Sequence, residues 1–242
     1  MTTQTPTLAP LAGLRIELRK LFDTPAQKIL IGVIAGACVV MASILGFSVG
    51  AADRTVGSFF EGAMIPLLLV WPVVGVLALA SEWQNGTAMI TYTLNPRRTQ
   101  VLVWKLVALM VVTVIAVAGV VALTMVLGLT GESPAYADAL DTTWRVMLAI
   151  GLMTLAGAAL GAALLNSVGG IVMLVVVMPL TANLLGSFRV TEAIAPYVDM
   201  QSLAMRIASG QWPDAGVAVS VLSIWIVLPL AVGIWRNARR EA

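Results

Sequence analysis

Histidine is absent from this chain of 242 residues, and cysteine occurs only once, as Cys38. Without histidine the chain cannot build a His-based metal site or a catalytic triad whose base is histidine. A single cysteine cannot form an intrachain disulfide, and its place inside a long apolar run favours a buried small hydrophobe. We therefore expect no metal site, no bound cofactor and no catalytic residue in this chain.

Charged residues are also scarce, at 11% of the chain, while 60% of the residues are hydrophobic. Soluble domains carry about 25% charged residues, so this chain could not cover its own surface with polar groups. Charges are missing altogether from five runs, which are 29–52, 62–81, 106–131, 146–188 and 215–235. A helix that rises 1.5 Å per residue needs about 20 apolar residues to cross a bilayer, so each run can hold at least one crossing.

The run 146–188 is long enough for two crossings, and Asn166-Ser167-Val168-Gly169-Gly170 near its middle predicts a tight turn. The sequence thus predicts an all-α membrane protein with six transmembrane helices, at about 29–49, 63–80, 105–128, 146–165, 169–187 and 216–235. We divide the chain into a leader with an interfacial helix (1–28), a six-helix transmembrane domain (29–235) and a basic tail (236–242).

The distribution of charge predicts the orientation in the membrane. Ten of the 14 basic residues, but only four of the 12 acids, belong to the N-terminus, the loop between the second and third spans, and the C-terminus. Loops rich in lysine and arginine stay in the cytoplasm. We therefore expect a multi-pass protein of the bacterial plasma (inner) membrane with both termini in the cytoplasm.

Two shorter segments have the spacing of amphipathic helices. Before the first span, apolar residues share one face and Glu17, Arg19 and Lys20 lie elsewhere; the apolar residues are Leu11, Leu14, Leu18, Leu21 and Phe22. This pattern predicts a helix that lies flat at the cytoplasmic interface and ends at Asp23-Thr24-Pro25, with an ordinary cytoplasmic helix as the alternative.

Before the last span, Asp199 can cap a short helix that runs to Ala208 and stops at Gly210. Its apolar stripe would consist of Met200, Leu203, Ala204 and Ile207. We expect this helical segment to lie on, or dip into, the outer leaflet.

Prolines and glycines inside the spans predict where helices bend and where they pack closely. Pro66 and Pro72 predict a bend in the second span, and Pro179 and Pro229 lie in the fifth and sixth. The pairs Gly32-xxx-Gly36 and Gly157-xxx-Gly161 allow helices to approach closely. Packing within the bundle and contact between two copies both remain open for these pairs.

Two absences bear on the source of energy. The chain has no G-x-x-x-x-G-K-[ST] loop with which to bind ATP. Its charge-free runs also lack the intramembrane ionisable residues with which transporters couple to protons or sodium. If the protein moves a solute uphill, the energy is expected to arrive at a cytoplasmic surface. The loop between the second and third spans suits that role, because Asn85-Gly86 can form a turn while Asn95 and Pro96 can begin a helix.

The run Glu82-Trp83…Gly86-Thr87…Thr91…Pro96-Arg97-Arg98…Lys105 resembles the permease subunits of bacterial ATP-binding-cassette (ABC) exporters of the type-two family. The run Leu14…Glu17-Leu18-Arg19-Lys20-Leu21 is similar to the interfacial helix that opens those chains. The resemblance implies that two permeases pair, as two copies or as two homologous chains. It further implies that each meets a separate ATPase, which binds ATP and Mg, and that the residues after the second span form a coupling helix.

From this resemblance we predict an ATPase-coupling surface made of Glu82, Trp83, Asn85, Gly86, Thr87, Arg97 and Arg98. Glu82 and Arg97 could pair with each other or with the ATPase, and the loss of an exposed pair would hardly affect folding. The resemblance also implies a substrate path at the dimer interface, lined by the first, second and fifth spans. Our candidates there are Met41, Phe47, Leu68, Trp71, Met173, Met178 and Asn183, although ordinary helix packing explains them equally well.

The expected function is export of a hydrophobic or amphipathic compound, such as a drug, an antibiotic or a lipid. One alternative is a permease for peptide immunity or for the assembly of a metal pathway. Another is a membrane scaffold that transports nothing. The remaining expected partner is the lipid bilayer, and no nucleic-acid partner is expected.

Overall fold

The computed structural model describes residues 10–23, 25–50, 54–86, 98–131 and 139–239, and within these ranges all regular secondary structure is helical. Among the described residues, six helices are long and apolar enough to cross a membrane, and we number them spans 1 to 6: Pro25–Ser48, Val56–Gln84, Thr99–Gly128, Asp141–Leu164, Ser167–Ser187 and Ala215–Arg236. Pro10–Asp23 forms the N-terminal helix, Met200–Ala208 forms the loop helix, and Ala195–Tyr197 is a short 3₁₀ turn. The prediction of an all-α membrane protein with six spans is confirmed.

Spans 2 and 4 form the centre of the bundle. Their backbones touch because Gly75, Gly157 and Gly161 carry no side chain: a Cβ on Gly157 would collide with the carbonyl oxygen of Pro72, and one on Gly161 with that of Val76. The Gly157-xxx-Gly161 pair therefore serves packing within the chain. A Cβ on Gly32 or Gly36 of span 1 would meet open space instead.

The other four spans surround this central pair. Span 1 packs on the first half of span 2, where Gly46 lies against Phe59. Span 6 packs on the end of span 4, where Gly233 lies against Ala162. Spans 3 and 5 complete the bundle. We call the side of the bundle that carries the N-terminal helix the N side and the opposite one the far side.

The regular helical hydrogen bonding of span 2 is interrupted just before one of its two prolines. Its first part, Val56–Val70, includes Pro66 without interruption, and its second part, Pro72–Gln84, begins after a turn at Trp71. Proline suits the first position of a helix because its missing N–H needs no partner there. Trp71 keeps helical φ and ψ of −55° and −37°, so the predicted bend stays a prediction, and Pro66 does not interrupt the helix.

The turn between spans 4 and 5 lies slightly before its predicted place. Span 4 ends at Leu164, and the reversal consists of Leu165, with a positive φ of 54°, and Asn166. The Asn166 side chain caps span 5 by accepting a hydrogen bond of 3.0 Å from the Gly169 N–H. Gly169 and Gly170 consequently belong to the helix rather than to the turn, because asparagine satisfies the free N–H groups of a helix start.

The loop helix follows the prediction from its sequence closely. The Asp199 carboxylate accepts a hydrogen bond of 2.9 Å from the Ser202 N–H, and the chain leaves the helix through Gly210 at a φ of +82°. The whole predicted stripe is buried and packs on span 4: Met200, Leu203, Ala204 and Ile207.

The N-terminal helix turns its leucines towards the bundle, although two residues were assigned to the wrong face. Leu14, Leu18 and Leu21 pack on the core, as predicted. Phe22, however, is 44% exposed, whereas Glu17 is only 5% exposed. The helix thus presents a buried carboxylate to the bundle within its apolar stripe. The side chain of Leu11 lies outside the described residues.

Candidate functional site

Four charged side chains meet on the N side of the bundle. Glu17 and Lys20 come from the N-terminal helix, Glu82 from the end of span 2 and Lys105 from the start of span 3. Lys105 Nζ lies 2.7 Å from Glu82 Oε1 and 3.5 Å from Glu17 Oε2. Lys20 Nζ lies 2.8 Å from Glu17 Oε1 and 2.9 Å from Glu82 Oε1. Each lysine thus bridges both carboxylates, and we call this arrangement the charge cluster.

The charge cluster is largely shielded from solvent. Lys105 is 8% exposed and Glu17 is 5% exposed, while the side chain of Lys20 reaches the surface. Burial by itself would lower the pKa of Lys20. Hydrogen bonds from its ammonium to Glu17 and Glu82, together with the attraction of the two negative charges, outweigh that effect and raise the pKa above its ordinary value. Two carboxylates and two ammonium groups balance in charge. Buried charges are tolerated when they are paired and hydrogen-bonded in this way.

Local sequence features bring the cluster together. Glu17 and Lys20 are three residues apart, so they lie next to each other on one helical face. One turn before Glu17, Gly13 lies directly against the ring of Trp104, the neighbour of Lys105 in span 3. A larger residue at position 13 would hold the N-terminal helix away from span 3. The combination of Gly13 with a Glu-x-x-Lys pair is the sequence signal that could have indicated a docked helix.

The N-side ends of the other spans lie beside the charge cluster. Glu82, Trp83 and Lys105 line a cavity of about 20 Å³ together with residues of spans 4 and 6; this volume is room for about one water molecule. The Gln84 side chain accepts a hydrogen bond of 3.2 Å from the Ser167 N–H at the start of span 5. Arg236 in span 6 donates one of 2.5 Å to the carbonyl of Ala163. The end of span 2 is therefore in contact with spans 3, 4 and 5, and it lines a cavity together with span 6.

The predicted coupling residues extend from this cluster to the surface. Glu82 and Trp83 are half-buried, whereas Asn85 and Gly86 are exposed and form the predicted turn, with Gly86 at a φ of +69°. Arg98 begins the helix that continues as span 3. Thr87 and Arg97, the cap at Asn95-Pro96 and the side chain of Arg98 lie outside the described residues. Glu82 contacts Lys20 and Lys105, and its pairing with Arg97 or an ATPase stays a prediction.

The predicted substrate-path residues occupy three kinds of environment. Leu68, Trp71 and Met178 are buried inside the bundle, where the Trp71 N–H donates a hydrogen bond of 3.0 Å to Thr113 Oγ1. Met41 and Met173 are half-buried.

Phe47 and Asn183 are exposed. Phe47 packs edge-on against Phe59, with ring centroids 5.2 Å apart, and Asn183 donates a hydrogen bond of 2.7 Å to the carbonyl of Pro179. All seven candidates are thus engaged in ordinary packing, bonded within their own helix, or exposed on the single chain. Their role in a substrate path stays a prediction.

Known protein families give no further guide: no family model matches this chain, and no curated protein sequence is significantly similar to it. The structure defines the class as an all-α protein with six helices able to span a membrane. Any more specific function has to be argued from the charge cluster and the spans themselves.

Proposed function

We propose that this chain is the membrane-spanning permease subunit of an ATP-driven ABC exporter. The observation that carries the proposal is the charge cluster, which joins the N-terminal helix to the ends of spans 2 and 3 beside the Gly86 turn. A permease driven by a separate ATPase needs a rigid connection between its cytoplasmic surface and its spans. A non-transporting scaffold has no such need.

The distribution of charge along the spans supports an energy source outside the bilayer. Every charged residue within the six helices lies in the first or last two turns: Lys28, Glu61, Glu82, Lys105, Asp141, Arg145 and Arg236. Ion-driven transporters place such residues deeper, where they carry protons or bind sodium. ATP hydrolysis by a partner subunit therefore fits the chain better than an ion gradient.

The surface of the bundle supports an apolar cargo and a second permease. Spans 1 and 5 expose large hydrophobic residues along much of their length, among them Val40, Ile44, Val172, Val176 and Leu180. Lipid or a second permease would cover these faces in the membrane. A path between two such faces would suit a hydrophobic or amphipathic compound, such as a drug, an antibiotic or a lipid.

The proposal places the N side in the cytoplasm of a bacterial cell. In a variant without Cys38, cysteines introduced at Gln84 and Thr99 should react with a membrane-impermeant maleimide only after the inner membrane is opened. Cysteines at Asp138 and Gln211 should react in intact spheroplasts. Reaction of Gln84→Cys in intact spheroplasts would reverse this orientation and remove the basis for a cytoplasmic ATPase.

The source of energy provides the direct test of function. We expect the purified chain alone to hydrolyse no ATP above background. In inverted vesicles that also contain its ATPase, export of a fluorescent amphipathic dye should require ATP and persist when uncouplers collapse the proton and sodium gradients. Sustained uphill transport by this chain without nucleotide would contradict the proposal.

A further inference from the structure

Spans 5 and 6 both widen into a π-helix near their middle. The π-helical segments are Met173–Val177 in span 5 and Ser223–Val227 in span 6. In each, the N–H after the segment bonds five residues back, from Met178 to the Met173 carbonyl and from Leu228 to the Ser223 carbonyl. Single π-helical turns inside α-helices often occur at functional sites and at kinks.

A proline follows each π-helical segment at the same position. Pro179 and Pro229 both come two residues after the segment ends. Proline has no N–H to donate, and its ring collides with the carbonyl four residues earlier in an α-helix. Bending at these points therefore disrupts fewer hydrogen bonds than bending elsewhere in the span.

The π-helical segments separate parts of the spans with different neighbours. On the N side, Ser167–Val172 packs on spans 2 and 4, with Gly170 against Val76. Leu228–Arg239 packs on span 4, with Gly233 against Ala162. On the far side, Met178–Ser187 and Ala215–Leu222 pack mainly on the chain that joins them, which includes the 3₁₀ turn and the loop helix. Each span thus leaves the centre of the bundle near its π-helical segment.

Hydrogen bonds connect the far-side parts to one another. Ser220 Oγ donates to the Tyr197 carbonyl at 3.0 Å. Trp225 Nε1, in the π-helical segment of span 6, donates to the Val198 carbonyl at 2.7 Å and joins that segment to the same part of the chain. Thr191 Oγ1 donates to the Leu185 carbonyl of span 5 at 2.7 Å. Residues 178–222, which we call the far-side unit, are therefore held together internally.

The far-side unit meets span 4 at a second contact beside the buried stripe of the loop helix. Trp212 stacks on Trp144 with ring centroids 5.6 Å apart. The guanidinium of Arg145 lies directly against Gly210 and pairs with Asp141 at 2.9 Å. The Trp144 and Arg145 side chains thus form a latch at the far end of span 4.

We propose that the far-side unit moves as one body against spans 2, 3 and 4, with the two π-helical segments as its pivots and the latch as the contact that opens. The two pivots define the axis of the movement. The buried stripe of the loop helix also packs on span 4, so it has to shift along that span when the latch opens. Such hinge movements occur in microseconds to milliseconds. The inference concerns the chain by itself and holds whether or not the partner is an ATPase.

Distances between spin labels in the purified full chain, in lipid nanodiscs and without Cys38, can test this movement. One pair, Met205→Cys with Val126→Cys, joins the loop helix to span 3. Two control pairs stay within one body: Met205→Cys with Phe188→Cys, and Leu148→Cys with Val126→Cys. All four positions are exposed. We expect the distance distribution of the first pair to be about twofold broader than those of the controls, since hinge motion adds to label motion.

Changing the pivots and the latch should shift that width in opposite directions. Pro179→Ala with Pro229→Ala restores both N–H donors. This double variant should narrow the distance distribution of the first pair to the width found for the control pairs. Trp212→Ala weakens the latch and should broaden it further. Pro66→Ala, at a proline without a π-helix, should leave it unchanged. The proposal would be overturned if the distance distribution of the first pair in the parent chain were as narrow as those of the control pairs. It would also be overturned if neither the double proline variant nor Trp212→Ala changed the width of that distribution.

Discussion

Replacing Lys105 with methionine is expected to destabilise the bundle by about 3–5 kcal/mol, because it leaves two shielded carboxylates with one lysine between them. Lys105 contacts both Glu82 and Glu17 and is 8% exposed, so water cannot take its place easily. Thermal unfolding of the purified chain in detergent would measure the loss. In membranes that contain the ATPase, the same variant should also lose ATP-dependent dye export.

A matched lysine provides the control for this effect. Lys28 is exposed near the start of span 1, and Lys28→Met should change the unfolding temperature little. Exchanging the charges, with Glu82→Lys and Lys105→Glu together, keeps the cluster neutral and should recover part of the stability that either change loses alone. Equal stability of the Lys105→Met and Lys28→Met variants would show that the charge cluster does not hold the bundle together.

The structure also changes the effect that we expect from replacing Glu82. If Glu82 were exposed, as the sequence suggests, its replacement by alanine would hardly affect folding. The side chain is in fact 14% exposed and contacts two lysines, so we expect Glu82→Ala to destabilise the chain as well as to affect coupling. Variants at Asn85 and Gly86, in the exposed turn, separate these two effects better.

The six spans could be predicted because their signal is local and strong. Each is a run of apolar residues long enough to cross a bilayer, and the charges fall near its ends. The loop helix was predictable for a similar reason, since Asp199 and Gly210 mark its two ends within the sequence itself.

The charge cluster could not be predicted in the same way, because it depends on where the N-terminal helix docks. Glu17 and Lys105 are far apart in the sequence, and each is an ordinary charged residue beside an apolar run. Leucine rarely adopts a positive φ, and no local preference of the residues indicated the positive φ of Leu165 or the two π-helical segments. Proline at 179 and 229 indicated irregular helices without indicating their form.

The contact between spans 2 and 4 gives the second large expected effect. Gly157 and Gly161 allow the backbone of span 4 to lie directly on the carbonyl groups of Pro72 and Val76. A methyl group at either position collides with backbone, which cannot move aside as a flexible side chain can. Overpacking of this kind costs about 1–3 kcal/mol or more. We therefore expect Gly157→Ala with Gly161→Ala to lower the unfolding temperature markedly and to reduce the yield of folded protein.

Gly151, in the same span, provides a control position at which alanine is not expected to lower the stability. A Cβ at Gly151 would meet nothing within 4 Å. Since alanine favours a helix over glycine by about 1 kcal/mol, Gly151→Ala should leave the chain equally stable or slightly more so. Thermal unfolding of both variants in the same detergent compares the same chemical change at a crowded and at an open position. If Gly157→Ala with Gly161→Ala unfolds at the same temperature as Gly151→Ala, spans 2 and 4 do not pack through their glycines.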